Sequence, residues 1–456
     1  MKRLISLIFL TPFFSFSQTN FDTITNDIDC DSFERISITP LLATHISSSQ
    51  NDNTTNSFLA YGIDLYSNLF KKLKISSRVL NIEGDFNTAL SNYVDSLGVY
   101  PGMDKIDKNF NYFSLNAEYR INKNFSTRFG KGTTFIGNGY RSMLLSNNNA
   151  PYPFFTFITE FWKVKYYNHF TTFTDIYTSN ESQKKHGAFH YLDYNVNNNL
   201  TIGLFEAIIW QSRDENFERG FDVHYLNPII FYRPVEFSKH SPDNALLGVN
   251  IDYQLNKVNI YGQLLIDDLN INRYENTGDG FFQNKLAFQL GLKSEFNLYE
   301  HNFYFLTEFN QAQPYTYAHK HPMQNYTHMN QALAHPLGAN FKENIFIINH
   351  THKKWGSNFK YTYAVYGADS VDTHYGQNIF ISDFLASGEG GEFSYGNFNG
   401  QGVLTHLHTL YAEVNYDLKF AKAFAACAIR NQTNKVNSTY LVLGLKTSFI
   451  NPFIDF

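Results

Sequence analysis

Several long segments of this sequence alternate between apolar and polar residues. The alternation is clearest in 110–120, 257–269, 283–296, 405–418 and 438–449. Successive side chains of a β-strand point to opposite faces, so each segment predicts a strand with one apolar face. These segments are about ten to fourteen residues long. A typical strand has about five or six residues, whereas a tilted membrane-spanning strand needs about 9–11.

The composition indicates what surrounds the apolar faces. Aromatic residues make up 17% of the chain, and charged residues also make up 17%, below the roughly 25% usual for soluble domains. After the first 17 residues, no segment approaches the length of an apolar membrane helix. These properties are typical of an outer-membrane β-barrel, whose individual strands give a weak signal. The alternative is a large secreted β-sandwich, because sandwich strands alternate too.

Short and long connections alternate along the chain. The short turns are 121–124, 195–199, 255–257, 297–300 and 353–356, and the long connections lie near 84–109, 211–242, 313–340 and 369–404. Outer-membrane barrels have short periplasmic turns and long outer loops, whereas a sandwich has no reason to sort its connections. The sequence therefore predicts an all-β fold, a transmembrane antiparallel β-barrel.

The barrel is expected to contain about eighteen strands. They are predicted near 36–47, 57–67, 71–83, 110–120, 125–131, 152–160, 163–178, 185–196, 199–210, 243–254, 257–269, 283–296, 300–312, 341–352, 356–368, 405–418, 419–431 and 438–449. An even number places both termini in the periplasm. The role of 152–160 stays open, since this segment could be a wall strand or part of a plug that crosses the lumen.

The first residues predict export. Lys2 and Arg3 precede an apolar stretch, and Ser15 and Ser17 have the spacing of a signal-peptidase site. We expect a signal peptide over 1–17, a short periplasmic segment over 18–35, and an outer-membrane barrel over 36–456. This organisation predicts location in the outer membrane of a Gram-negative bacterium.

Charge and cysteine content restrict the partners. Lys and Arg number 36 against 41 Asp and Glu, so no nucleic-acid partner is expected. Cys30 and Cys427 could form one disulfide or remain two thiols. We expect contacts with outer-membrane lipid, and with the outer-membrane assembly machinery through the carboxyl-terminal Phe456. A monomer is expected because barrel closure removes free sheet edges.

Two long connections are unusually apolar for solvent-exposed loops. They are "FIGNGYRSMLLSNNNAPYPFFTF" (135–157) and "GFDVHYLNPIIFYRPVEFSKHSPDNALLG" (220–248). We expect both to fold into the lumen or to pack over its mouth, which would occlude a barrel wide enough to hold water. The alternative is that they extend strands above the membrane.

The same segments carry a family resemblance. "GNGYRSMLLSNNNAPYPF", "YLNPIIFYRPVEF…SPDNALLGVN" and "HPLGANF" (335–341) resemble outer-membrane proteins of the Bacteroidetes type that are grouped with the capsule-assembly Wzi family, including RemB-like proteins of gliding motility. The resemblance implies an eighteen-stranded barrel with an occluded lumen that holds surface or capsular polysaccharide. Capsule members carry an amino-terminal helical bundle, which the short segment 18–35 does not accommodate.

Candidate glycan-binding residues lie within these segments. Sugars are bound by aromatic faces and by planar polar groups that make directed hydrogen bonds. The candidates are Tyr140, Arg141, Tyr232, Arg233, Glu236, Asp243 and Asn340. For the four charged residues, bracing of a plug is the favoured role. The loop tips 274–282 and 388–400 are alternative sites of sugar contact.

Histidines cluster in the connection 313–340. His319 and His321 would share one face of a strand and are minority candidates for a transition-metal site. No Cys or carboxylate in this connection completes a ligand set, so neither a metal nor another cofactor is expected. His335 is expected to pack or to cap.

Three functions follow from the sequence. The first is a non-enzymatic barrel associated with surface polysaccharide, in capsule assembly or attachment or as an accessory of gliding motility. The second is a diffusion porin, which requires an open lumen. The third is an enzyme that modifies lipid or glycan, which requires a nucleophile beside a histidine. No Ser and His pair has a defensible spacing, so an enzyme is not expected.

Overall fold

The computed structural model describes residues 35–49, 54–69, 72–86, 88–106, 109–177, 182–213, 218–228, 243–269, 280–370, 373–387, 393–435 and 437–447. The predicted signal peptide, the periplasmic segment up to residue 34, Cys30, Tyr232, Arg233, Glu236 and Phe456 lie outside these residues, as do residues 274–279 and 388–392 of the two loop tips. In the described part of the chain, no helix is both long and apolar enough to cross a membrane.

Eighteen long strands form the wall. In chain order β1 to β18 are Arg35–Ser49, Thr55–Leu69, Leu73–Gly84, Asn109–Arg120, Phe125–Gly132, Tyr152–Phe161, Val164–Asp175, Gln183–Asn195, Leu200–Gln211, Asn244–Leu255, Val258–Asp268, Lys285–Leu298, His301–Ala312, Phe341–His352, Trp355–Ala368, Val403–Asp417, Lys422–Gln432 and Ser438–Lys446. Each strand pairs with the next in antiparallel register, and β18 pairs with β1 from Lys446 opposite Ala43 to Tyr440 opposite Ser49.

The predicted closed barrel is therefore confirmed. All eighteen predicted strands are present, and 152–160 is a wall strand, β6, which pairs with β5 on one side and β7 on the other. The shorter elements are a three-residue strand, Asp104–Ile106, the two-residue hairpin strands Thr327–His328 and Gln331–Ala332, the helices Thr88–Leu97 (α1) and Asp383–Ser387 (α2), and 3-10 turns at Val223–Leu226 and Pro322–Gln324.

The two faces of the wall differ as the alternation predicts. On β12, Leu290 points outward and is 52% exposed, whereas its neighbour Gln289 points inward and is fully buried. At the short-turn end, large exposed aromatic side chains lie beside the turns: Phe161, Trp162, Tyr299, Trp355 and Phe420. Aromatic belts of this kind mark the membrane–water interface of outer-membrane barrels.

Inserted connections fill the opposite half of the lumen. Met143, Leu144 and Leu145 of the connection 133–151 are fully buried against inward-facing wall residues such as Phe205 and Leu265. Tyr317, Tyr326 and Leu333 of the connection 313–340 join the same cluster. We call residues 133–151 and 313–340 the plug. The expectation that the first apolar connection enters the lumen is confirmed for 135–151, and its remainder belongs to β6.

A helix lines another part of the lumen. On α1, Leu90 and Val94 are one helical turn apart and pack on Leu41, Phe58 and Leu80, which point inward from β1 to β3. The sequence predicts only a connection over 84–109, so this helix is an addition that the structure reveals.

The second apolar connection takes the opposite side of the wall. Tyr225 stacks on Trp210, with ring centroids 4.7 Å apart, and the Trp210 Nε1–H donates to the Gly220 carbonyl. Trp210 shares its face of β9 with Ile208, whose neighbours Ala188 and Phe170 continue the outer face to the exposed Phe155. We call residues 218–228 the outer strap.

The expectation of a lumen or mouth location is therefore wrong for 220–228. The outer wall beneath the outer strap carries Asn168, His190 and Glu206, which are all buried. Exposing such polar groups to hydrocarbon is costly. The outer strap covers them, and this explains why an apolar segment packs on the outside of the wall. Residues 229–242 lie outside the described residues, and 244–248 begin β10.

Candidate functional site

Arg141 of the plug makes a buried ion pair with the wall. Its guanidinium approaches the Glu343 carboxylate of β14, at 3.2 Å from Nη2 to Oε1 and 3.4 Å from Nε to Oε2. The His335 Nε2 lies 2.7 Å from the same carboxylate. Arg141 and His335 come from the two parts of the plug, so Glu343 joins both parts to one wall strand.

A second wall carboxylate holds the plug backbone. Glu308 of β13 accepts the backbone N–H groups of Tyr140 at 2.6 Å and Arg141 at 3.0 Å. It also accepts the Tyr261 hydroxyl at 2.8 Å and the Asn310 amide at 2.8 Å. A buried carboxylate with four donors is well satisfied, and this arrangement fits bracing better than ligand exchange.

Tyr140 and Asn340 also hold the plug in place. The Tyr140 ring packs on Leu306, Ile345 and Ile347, and its hydroxyl lies 3.2 Å from the Lys360 Nζ. Asn340 has a positive φ of 55°. Its amide nitrogen donates to the carbonyls of Gly367, Tyr375 and Gln401, and its amide oxygen accepts from the Gly400 N–H at 2.7 Å.

Asp243 lies at a different place, at the rim where β10 begins. Its carboxylate accepts two hydrogen bonds of 2.8 Å from Arg219 Nη1 and one of 2.5 Å from the Tyr225 hydroxyl, so it anchors the outer strap. The described candidates thus divide into a plug group (Tyr140, Arg141, Asn340) and Asp243, which anchors the outer strap from the start of β10. The structure does not bring them together.

The histidines of the plug form two groups: His319 and His321, and the buried His328 and His335. His319 and His321 are neighbours in an irregular segment, with ring centroids 5.9 Å apart. Within the described ranges, no three His, Cys, Asp or Glu side chains form a group that could hold a metal ion. Burial lowers the pKa of His335, although Glu343 opposes this effect, and burial lowers the pKa of His328 to about 3. Both are therefore neutral near pH 7.

A cavity that the sequence analysis did not identify lies at the short-turn end of the lumen. It has a volume of about 340 Å³ and is lined by residues of β4 to β7 and the turn 121–124. The charged residues of its lining are Glu118, Arg120, Lys123, Arg128, Glu160 and Lys165. We call this cavity the vestibule. The signal that could have found it is the presence of Glu118, Arg120 and Arg128 at inward positions of the predicted strands 110–120 and 125–131.

Comparisons with known proteins give a fold relationship. No family model matches the chain, and no curated protein sequence matches it. A similar solved structure is Wzi, an outer-membrane protein involved in group 1 capsule assembly in Escherichia coli, described as a carbohydrate-binding β-barrel. It has a TM-score of 0.59 and 12% sequence identity, and the match covers 90% of this chain and 84% of that one.

Other solved structures also match, at lower similarity. OccK1 (OpdK) of Pseudomonas aeruginosa has a TM-score of 0.46 and 9% identity, over 90% of this chain and 97% of that one. A BenF-like porin of Pseudomonas fluorescens has a TM-score of 0.47 and 9% identity, over 90% and 98%. At these identities the comparisons establish the fold alone: the chain has the closed antiparallel architecture of outer-membrane β-barrels, and of these structures Wzi has the highest TM-score.

Proposed function

We propose that this protein is a non-enzymatic barrel of a Gram-negative outer membrane that holds surface polysaccharide during its assembly or attachment. The observation that carries the proposal is the plug, which occupies the lumen with buried side chains and is fixed to the wall through Glu343 and Glu308. A lumen filled in this way does not allow free diffusion of solutes. The function is therefore expected to depend on binding to the surfaces of the barrel and its plug.

Two further observations support the polysaccharide. Two of the three segments that resemble the Wzi family, 137–154 and 335–341, form or border the plug. The third, 225–250, contributes to the outer strap and to β10 where it is described. The fold is similar to that of Wzi, which is described as carbohydrate-binding. The finer assignment to capsule or to gliding motility is part of the proposal and depends on the cell's own polysaccharide.

Binding and conductance of the purified protein test the proposal. We expect the protein in detergent to retain the surface polysaccharide of its own cells on an affinity matrix, and to give no stable channels in planar bilayers. Open channels with no retention of polysaccharide would contradict it and support a porin. In a deletion strain, loss of surface-bound capsule would indicate the capsule role and loss of colony spreading the gliding role.

A further inference from the structure

The vestibule contains a buried carboxylate, that of Glu118, with one unsatisfied oxygen. Glu118 is 5% exposed, and its Oε2 is buried without a hydrogen-bond partner among the described residues. Arg128 stands directly opposite Glu118 on β5. The Arg128 Nε nevertheless points to the Asn116 Oδ1, at 3.4 Å, and its guanidinium lies 5.7 Å from the centroid of the Phe154 ring. The Glu118 carboxylate therefore remains an acceptor that lines the cavity.

The rest of the vestibule is basic. Four cations line it, Arg120, Lys123, Arg128 and Lys165, against two carboxylates, Glu118 and Glu160. Arg120 and Lys123 are exposed at the short-turn end, where a ligand from the periplasmic side would arrive first. A positive rim outside a buried acceptor suits a ligand that carries both an acidic group and hydroxyl donors.

We propose that the vestibule binds a short acidic saccharide, the class represented by uronic-acid oligomers. A sugar hydroxyl donates to Glu118, and the saccharide carboxylate pairs with Arg120 and Lys123. The cavity of about 340 Å³ lies in the usual range for small-ligand pockets, about 300–1,000 Å³. This inference rests on the proposed polysaccharide function and adds that the protein contacts acidic glycan from the periplasmic end of the barrel.

Calorimetry with the full chain in detergent tests the vestibule. The probes are trigalacturonic acid, neutral maltotriose and inorganic sulfate. We expect trigalacturonic acid to bind, and the Arg120→Ala/Lys123→Ala variant to weaken this binding about tenfold or more. Lys257→Ala removes an exposed lysine from another turn at the same end and is expected to leave the affinity unchanged.

Glu118→Ala separates a saccharide site from a simple anion site. At a saccharide site, loss of the hydroxyl acceptor weakens the binding of trigalacturonic acid roughly tenfold or more. At a simple anion site, removal of a carboxylate instead increases the affinity for the anion. Tighter binding in this variant, or sulfate competing as well as the saccharide, would overturn the assignment. Circular dichroism and heat-modifiable gel mobility check that each variant is folded.

The outcomes also separate this inference from the proposed function. If the protein retains the polysaccharide of its cells while the vestibule variants bind trigalacturonic acid like the wild type, the vestibule assignment fails and the proposed function stands. If the wild type retains no polysaccharide at all, the proposed function fails, and the inference that rests on it fails too.

Discussion

Arg141 of the plug and Glu343 of the wall form a buried ion pair, and 202 residues of sequence separate them. Removal of one member of a buried pair leaves the other charge uncompensated, which costs roughly 3–5 kcal/mol. We therefore expect Arg141→Met to lower the free energy of unfolding by about that amount and to allow transient channel openings in planar bilayers. Thermal unfolding and single-channel recording measure the two effects.

An exposed pair provides the matched control for Arg141. Lys353 and Glu300 lie 3.3 Å apart at the short-turn end, and both are mostly exposed. Exposed pairs contribute about 0–1 kcal/mol, so Glu300→Gln should change neither stability nor conductance. Equal losses in Arg141→Met and Glu300→Gln would show that the plug is not braced by its ion pair.

Asn340 combines a left-handed backbone with a fully used amide. Asn340→Gly keeps the φ of 55° and loses only the amide, whereas Asn340→Ala also strains the backbone. Asn340→Asp turns a carboxylate oxygen toward three carbonyls. We expect stability to fall in the order Gly, Ala, Asp, with losses of about 1–3 kcal/mol or more. Urea unfolding measures the order, and an Asp variant as stable as the wild type would refute it.

Acid should release the plug through its buried histidines. The pKa of His328 is lowered by burial to about 3 from an ordinary value of 6.5, so the folded protein keeps this ring neutral while the unfolded chain takes up a proton below about pH 6.5. Its contribution to stability is therefore complete above that pH and declines as the pH falls toward 3. At pH 4.5 the loss from His328 alone is roughly 2–3 kcal/mol.

Hydrogen exchange of residues 313–340 between pH 7 and 4.5, corrected for intrinsic rates, checks this acid dependence. His328→Gln removes the titrating ring and should flatten the pH dependence. His321→Gln removes an exposed histidine of the same connection and should leave it intact. The same acid dependence in both variants would mean that other groups release the plug.

The outer strap should open independently of the barrel. Arg219 bonds to both Asp222 and Asp243, so Arg219→Ala removes the main anchor of residues 218–226. We expect amide exchange in these residues to accelerate about ten- to a hundredfold, which corresponds to about 1.4–2.8 kcal/mol, and exchange in β9 to stay unchanged. Lys184→Ala, which removes an exposed cation near the strap, is the control. Accelerated exchange throughout β9 would show that the strap belongs to the wall.

The sequence predicted the wall well because a period of two is a local signal. The spacing of Leu286, Phe288 and Leu290 predicts an apolar outer face without information about the neighbouring strands. Apolarity also announced the plug, since Met143 to Leu145 needed burial. The same signal failed for Tyr225, because apolar residues do not reveal whether the inner or the outer face of the wall will cover them.

The candidate site was less accessible from the sequence because its contacts are non-local. The sequence favours bracing as the role of Arg141. Its partners Glu343 and Glu308 lie on strands far away in sequence, and no local signal near Arg141 identifies them. The vestibule needs four strands and a turn to exist. Glu118 and Arg120 were visible only as ordinary polar positions of an alternating strand until closure of the barrel placed them around one cavity.

The outer face of β12 gives the most direct test of the surrounding medium. Leu290 lies in the middle of the strand and is 52% exposed, whereas Leu298 is at its short-turn end and is 57% exposed. An arginine at the bilayer midplane costs about 2–4 kcal/mol, and near the interface about 0–1 kcal/mol. Leu290→Arg should therefore destabilise the refolded protein in lipid vesicles far more than Leu298→Arg. In water, two leucines with similar exposure would tolerate arginine equally, so equal unfolding free energies for the two variants would mean that hydrocarbon does not surround this wall.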